Sequence, residues 1–122
     1  MSFNQVTIVG HLGKDPEGRE TTSGVGMSIL SIATHHKTRN SAKNTLEPHV
    51  EWHRVVLFEK QAKAAQQYLK KGAQVIVVGR LKTSRYEDEQ GVKRQKTEII
   101  AEKITFLGGK ASLATTDESV GS

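Results

Sequence analysis

The chain has 122 residues, 35% hydrophobic and 25% charged, with 18 Lys and Arg against 13 Asp and Glu for a formal charge of +5. That length suits one domain and excludes separate cofactor and substrate lobes, while the charge points to an anionic partner without identifying one. The absence of cysteine excludes disulfides, thiol nucleophiles and thiolate metal sites, and no apolar run or leader pattern suggests a membrane span or signal peptide, so a soluble cytoplasmic protein is expected.

Residues 5–12 (QVTIVGHL) alternate as a strand with a glycine bend at Gly10. Residues 13–26 are rich in Gly, Thr and Glu and read as a loop with room for a short edge strand. Residues 27–34 (MSILSIAT) form a second strand, and the polar stretch 35–48, carrying Lys37, Arg39, Asn40, Lys43 and Asn44, reads as an exposed loop. A third strand covers 50–58 (VEWHRVVLF), rich in β-branched and aromatic residues.

At residue 59 the period changes. Ala62, Ala65, Tyr68 and Leu69 recur at helical spacing, and Lys70, Lys71 and Gly72 supply a C-terminal signal, so a helix is expected over 59–69. A long fourth strand follows over 74–86, then a turn at 88–91, then a fifth strand over 93–106 paired with the fourth as a hairpin. Residues 108–122 lack apolar periodicity and read as a disordered tail, which leaves 1–107 as the folded domain. The tail holds one lysine against two acids, so the domain carries the whole positive balance. The predicted class is all-β with one helix. Five strands with the helix between the third and fourth is the order of an OB-fold, a Greek-key barrel whose open face binds oligonucleotides.

Strand alternation sorts the charges. Trp52, Arg54 and Phe58 share one face of the third strand with Val50 and Val56. Arg80, Lys82 and Tyr86 share one face of the fourth with Ile76, Val78 and Ser84, while Val75, Val77, Gly79, Leu81 and Thr83 make its core face. Aromatics in a strand more often pack a core than meet a ligand. An arginine between two rings argues against burial, because an unpaired buried charge is costly. On an open face the same residues suit single-stranded nucleic acid, where rings stack on bases and Arg or Lys meets phosphate. Lys93, Arg94 and Lys96 extend the basic set, as do Lys37 and Arg39 in the polar loop; Arg85 falls opposite Tyr86 and stands at its margin.

No catalytic constellation emerges. His49 and His53 are four apart but lie across a loop and a strand, where that spacing is about 13 Å. His35 and His36 add no Asp or Cys partner, so no metal site and no cofactor are expected. The segment GHLGK is too short for a phosphate loop. Rival readings are an RNA-binding barrel, a primosomal protein of the same fold, or a module whose face meets protein.

Five blocks together carry a more specific signal: VTIVGHLGKDPE from Val6, IAT from Ile32, EWHRVVLF from Glu51, YLKKG from Tyr68, and VVGRL from Val77. Over residues 3–109 the chain resembles the bacterial-type single-stranded DNA-binding proteins, a family of OB-folds. The resemblance implies a non-enzymatic homotetramer that coats single-stranded DNA in replication, recombination and repair. Trp52 and Phe58 match two of the family's stacking aromatics, and Tyr86 stands where a tryptophan is usual. Another family tryptophan aligns with Thr38, leaving His35, His36 and Arg39 as the nearest substitutes. His53 matches an intersubunit contact. The first strand is apolar on both faces, and Val6 and Ile8 are assigned with His53 to the oligomer interface. The family's acidic tip with its Pro-Phe ending, which recruits partner enzymes, has no match in residues 116–122; the chain reads as a short variant or a truncated piece for which recruitment through that tip is not expected.

Overall fold

A computed structural model describes residues 1–107. The expected tail from residue 108 lies outside the described residues. Seven elements follow in order: β1 (Val6–Leu12), β2 (Glu17–Glu20), β3 (Gly26–Asn40), β4 (Thr45–Phe58), α1 (Glu59–Tyr68), β5 (Gln74–Glu87) and β6 (Lys93–Leu107). Five strands close a barrel in the order β1-β5-β6-β4-β3, with β3 pairing back to β1. The four-residue β2 adds to the edge of β3 as the short edge strand anticipated within 13–26. All pairings are antiparallel except β4 with β6, where Val55 and Val56 face Ile99 and Ile100 in parallel. This mixed five-stranded barrel, with its helix between β4 and β5, is the expected OB-fold.

Closure depends on β1 serving two partners. Its residues Val6–His11 pair with β5, and His11 and Leu12 also pair with Ala33 and Ile32 of β3. At Gly10 the backbones approach so closely that a Cβ would strike the Ala33 carbonyl. The glycine bend read from the sequence is therefore the seam of the barrel.

The core is the inward face of each strand plus one stripe of helix. Leu12, Leu30, Ile32, Val55, Leu57, Val75, Val77, Ile104 and Phe106 are buried. Each fully buried side chain of this kind contributes about 1.5–3 kcal/mol. Ala62 and Ala65 of the helix, with Leu69 at its C-cap, meet them. Tyr68 does not join that stripe. It is exposed, with its ring tilted against Phe106 at a centroid distance of 6.4 Å. Beneath the helix, Gln66 Nε2 donates to the fully buried Ser28 hydroxyl at 2.8 Å.

Two expectations need correction. Residues 35–48 are not a loop. β3 and β4 continue through them as a hairpin paired to Asn40 and Thr45. Asn40 Oδ1 accepts from the amides of Ala42 and Lys43, and Asn44 takes φ 54°, so the turn occupies only 41–44. The polar residues concealed the strands because this arm is exposed on both faces and carries no apolar alternation. Second, the core face of β5 ends at Gly79. Leu81 and Thr83 continue the alternation but are exposed, because the β5–β6 hairpin extends beyond the barrel. Val6 and Ile8, expected at an oligomer interface, are half-buried and pack in part against this chain's own core. The apolar side chain that β1 turns outward is Val9.

Candidate nucleic-acid interface

The register places both predicted clusters on one outer face. On β4, Trp52, Arg54 and Phe58 stand opposite Ala33, Ser31 and Met27 of β3. On the other side lies β6, where Ile100 faces both Val56 of β4 and Arg80 of β5. Lys82, Ser84 and Tyr86 of β5 then face Glu98, Lys96 and Arg94 of β6. Paired residues share a side of the sheet. Trp52, Arg54, Phe58, Arg80, Lys82, Tyr86, Arg94 and Lys96 therefore belong to one continuous surface. Lys93 falls on the opposite side by alternation, cross-strand from Glu87 at the hairpin tip.

The rings on this surface are open. Trp52 is 61% exposed, Tyr86 49% and Phe58 37%. Trp52 has a defined support, since a Cβ on Gly13 would run into its six-membered ring. The outer edge of the indole, at Cζ3 and Cη2, therefore abuts bare backbone at Gly13.

The electrostatics are mixed. Among the described residues no acid stands within salt-bridge reach of Arg80, Lys82, Lys37 or Lys93. Arg54 donates from Nε to Glu98 Oε2 at 2.5 Å, and Lys96 Nζ lies 3.9 Å from the same oxygen. Arg94 Nε donates to Asp88 Oδ2 at 2.9 Å. That hydrogen bond, with the Val92 and Gln90 amides, holds the Asp88 carboxyl below its ordinary value. On β2 the Arg19 guanidinium hydrogen-bonds Glu17 and lowers its carboxyl, with Lys14 and Arg54 adding to the effect.

The β3–β4 arm divides the remaining candidates. Alternation puts His35, Lys37 and Arg39 on the Trp52 side. Arg39 Nη2 donates to Asn44 Oδ1 at 2.6 Å. His36 falls on the other side, the side of Thr38, stacked on its cross-strand partner His49 with ring centroids 5.5 Å apart. His53 is half-buried and hydrogen-bonded to the Thr34 hydroxyl at 2.9 Å. No group of three His, Cys, Asp or Glu arranged for a metal occurs among the described residues, and no described helix is long and apolar enough to cross a membrane.

Sequence reasoning missed Glu98 and Gly13. Alternation along 94, 96, 98 and 100 could have put Glu98 on this face. Only the barrel's closure sets it beside Arg54, 44 residues away. No local signal marks Gly13 as the neighbour of the Trp52 ring edge.

A closed small barrel with open rings and cations on one outer face defines an oligonucleotide-binding class of protein. Comparison with known proteins narrows it. The profile of the Single-strand binding protein family matches residues 3–107, and the chain belongs to that family, whose members are non-enzymatic. Single-stranded DNA-binding protein 1 of Chlorobaculum tepidum is 42% identical over 118 residues, covering 96% of this chain and 72% of that protein. A solved structure described as the Plasmodium falciparum SSB complex with ssDNA matches with a TM-score of 0.78 at 29% identity, covering 88% of this chain and 97% of the other.

Proposed function

We propose that this protein binds single-stranded DNA across the outer face of β4, β6 and β5 and coats it during replication, recombination and repair. The observation that carries the residue assignment is the shared face of Trp52, Arg54 and Phe58 with Arg80, Lys82 and Tyr86, continuous through β6. Bases stack on Trp52, Phe58 and Tyr86, and Arg54, Arg80, Lys82, Arg94 and Lys96 meet the phosphates. Lys37 and Arg39 carry the track along the β3–β4 arm, and Lys93 extends it at the β5–β6 tip. Stacking uses the face common to every base, so sequence preference is weak. No step is catalytic, and the protein acts in the cytoplasm.

The working unit is a homotetramer on this reading. Val9 is exposed on β1 and Phe3 just before it, and Ile76 and Val78 occupy the Val9 side of the adjacent β5. An apolar outer strand of this kind is protected when a second copy pairs with it. Val9 meets the neighbour together with the half-buried Val6 and Ile8, and His53 joins a subunit contact. Light scattering at four times the chain mass supports this, and a monomer mass refutes it.

The binding test is fluorescence anisotropy with labelled oligo-dT, oligo-rU and a duplex of equal length. The proposal requires oligo-dT to bind most tightly, with affinity falling as salt rises, because phosphate contacts release counterions. Preference for oligo-rU would move the function to RNA. Absence of binding to all three at low salt would refute it.

A further inference from the structure

We infer that Glu98 is a positioning residue for DNA binding, holding Arg54 as a fixed partition between two base-sized hollows. The inference rests on the reading of this face as the single-stranded DNA site. Glu98 is an anomaly there, a carboxylate only 9% exposed in the middle of a surface otherwise set with open cations. It lies cross-strand from Lys82 on one side and reaches Arg54 of β4 on the other. Burying a carboxylate is costly unless it is paired. A negative charge among phosphate-binding groups also repels the ligand. A residue with both costs needs a compensating task, and its contacts supply one.

Arg54 lines two separate hollows. One, of about 450 Å³, is shared with Ser84, Tyr86 and Lys96. The other, of about 210 Å³, is shared with Ser31, Trp52 and His53. The guanidinium thus stands between the Trp52 platform and the Tyr86 platform. Glu98 accepts from Nε, the guanidinium nitrogen nearest the side-chain stem, and so restrains the whole planar group. An unrestrained arginine would lose its rotamer freedom on meeting DNA; one already held does not. Two neighbouring nucleotides straddle Arg54, one base beside Trp52 and the other beside Tyr86, and the guanidinium meets the phosphate between them.

Two conservative variants of the full chain separate position from charge. Glu98→Asp keeps the charge but is one methylene too short to hold Arg54. Glu98→Gln removes the charge and keeps an acceptor of the same reach. With oligo-dT, Glu98→Asp is expected to bind about tenfold more weakly, the scale of one lost charge-assisted hydrogen bond. Glu98→Gln stays within about threefold of wild type. In an Arg54→Ala background, Glu98→Asp should cause no further loss, because it acts through Arg54. Unchanged affinity in Glu98→Asp with tighter binding in Glu98→Gln would make Glu98 a simple charge brake and overturn the inference. An equal loss from Glu98→Asp with and without Arg54 would overturn it too. Wild-type protein that fails to bind oligo-dT would instead refute the proposed function itself.

Discussion

Trp52 is held at one edge and open elsewhere. Its six-membered ring meets Gly13 at the Cζ3–Cη2 edge, and the side chain remains 61% exposed. On the proposed reading such a ring is a stacking platform whose edge is already held, which reduces the entropy cost of ordering it on binding. Trp52→Ala is expected to weaken oligo-dT binding by about 1–3 kcal/mol while leaving the unfolding midpoint nearly unchanged. Anisotropy and urea denaturation together check this; unchanged affinity in a folded variant would remove Trp52 from the site. At this scale the sequence was most legible where period-two alternation operates. Trp52, Arg54 and Phe58 could be read onto one face, and Arg80, Lys82 and Tyr86 onto another, without knowing the fold. That the two faces are one surface depends on β6 lying between them. The Arg54–Glu98 bond was hidden for the same reason.

Each connecting element tests a different physical rule. At the junction of β4 and α1, Glu59 takes φ 54°, and Phe58 offers no side-chain cap. A left-handed backbone strains any residue with a Cβ, by roughly 1–2 kcal/mol. Glu59→Gly should therefore be more stable than Glu59→Ala by about 1 kcal/mol, the reverse of their order inside a helix. Thermal unfolding of the pair decides it, and a more stable alanine variant would contradict the strained turn. At the β5–β6 tip, Asp88 Oδ1 accepts from the Gln90 and Val92 amides and Oδ2 from Arg94. Its carboxyl lies below the ordinary value in the folded state. The stabilisation is therefore present above the unfolded value of about 3.9 and is lost as pH falls through the lower folded value. Amide exchange at Val92 should lose protection only in that acid window, and Asp88→Asn should abolish the pH dependence. Loss of protection between pH 5 and 7 (roughly, well above that window) would contradict the assignment. This turn was legible from the sequence, because Asp88 and Gly91 bracket it with residues that favour turns. The β3–β4 arm was not, since its strands are held by backbone pairing and a few polar and ring contacts and are polar on both sides.

Over the whole molecule, one barrel separates two tasks. The inner face and α1 supply stability through Val, Leu, Ile and Ala, with Phe106 the single buried aromatic among the described residues. The other rings are exposed, three of them on the proposed binding face. A formal charge of +5 is weak evidence when averaged over the chain. It becomes informative once the register sets Arg80, Lys82, Arg94 and Lys96 beside those rings. The barrel itself was readable from element order, while its closure through β1 and β3 was not, because Gly10 marks a bend without naming the strand it approaches. Trp52 is the only tryptophan in the chain and reports directly on the surface at issue. Titration of its fluorescence with oligo-dT at low salt is the most direct test of single-stranded DNA binding on this face. Saturable quenching that is reversed by added salt is predicted, because bases stack on the indole and phosphates hold the strand. Fluorescence that stays unchanged while oligo-dT is bound would place the DNA elsewhere and contradict the account.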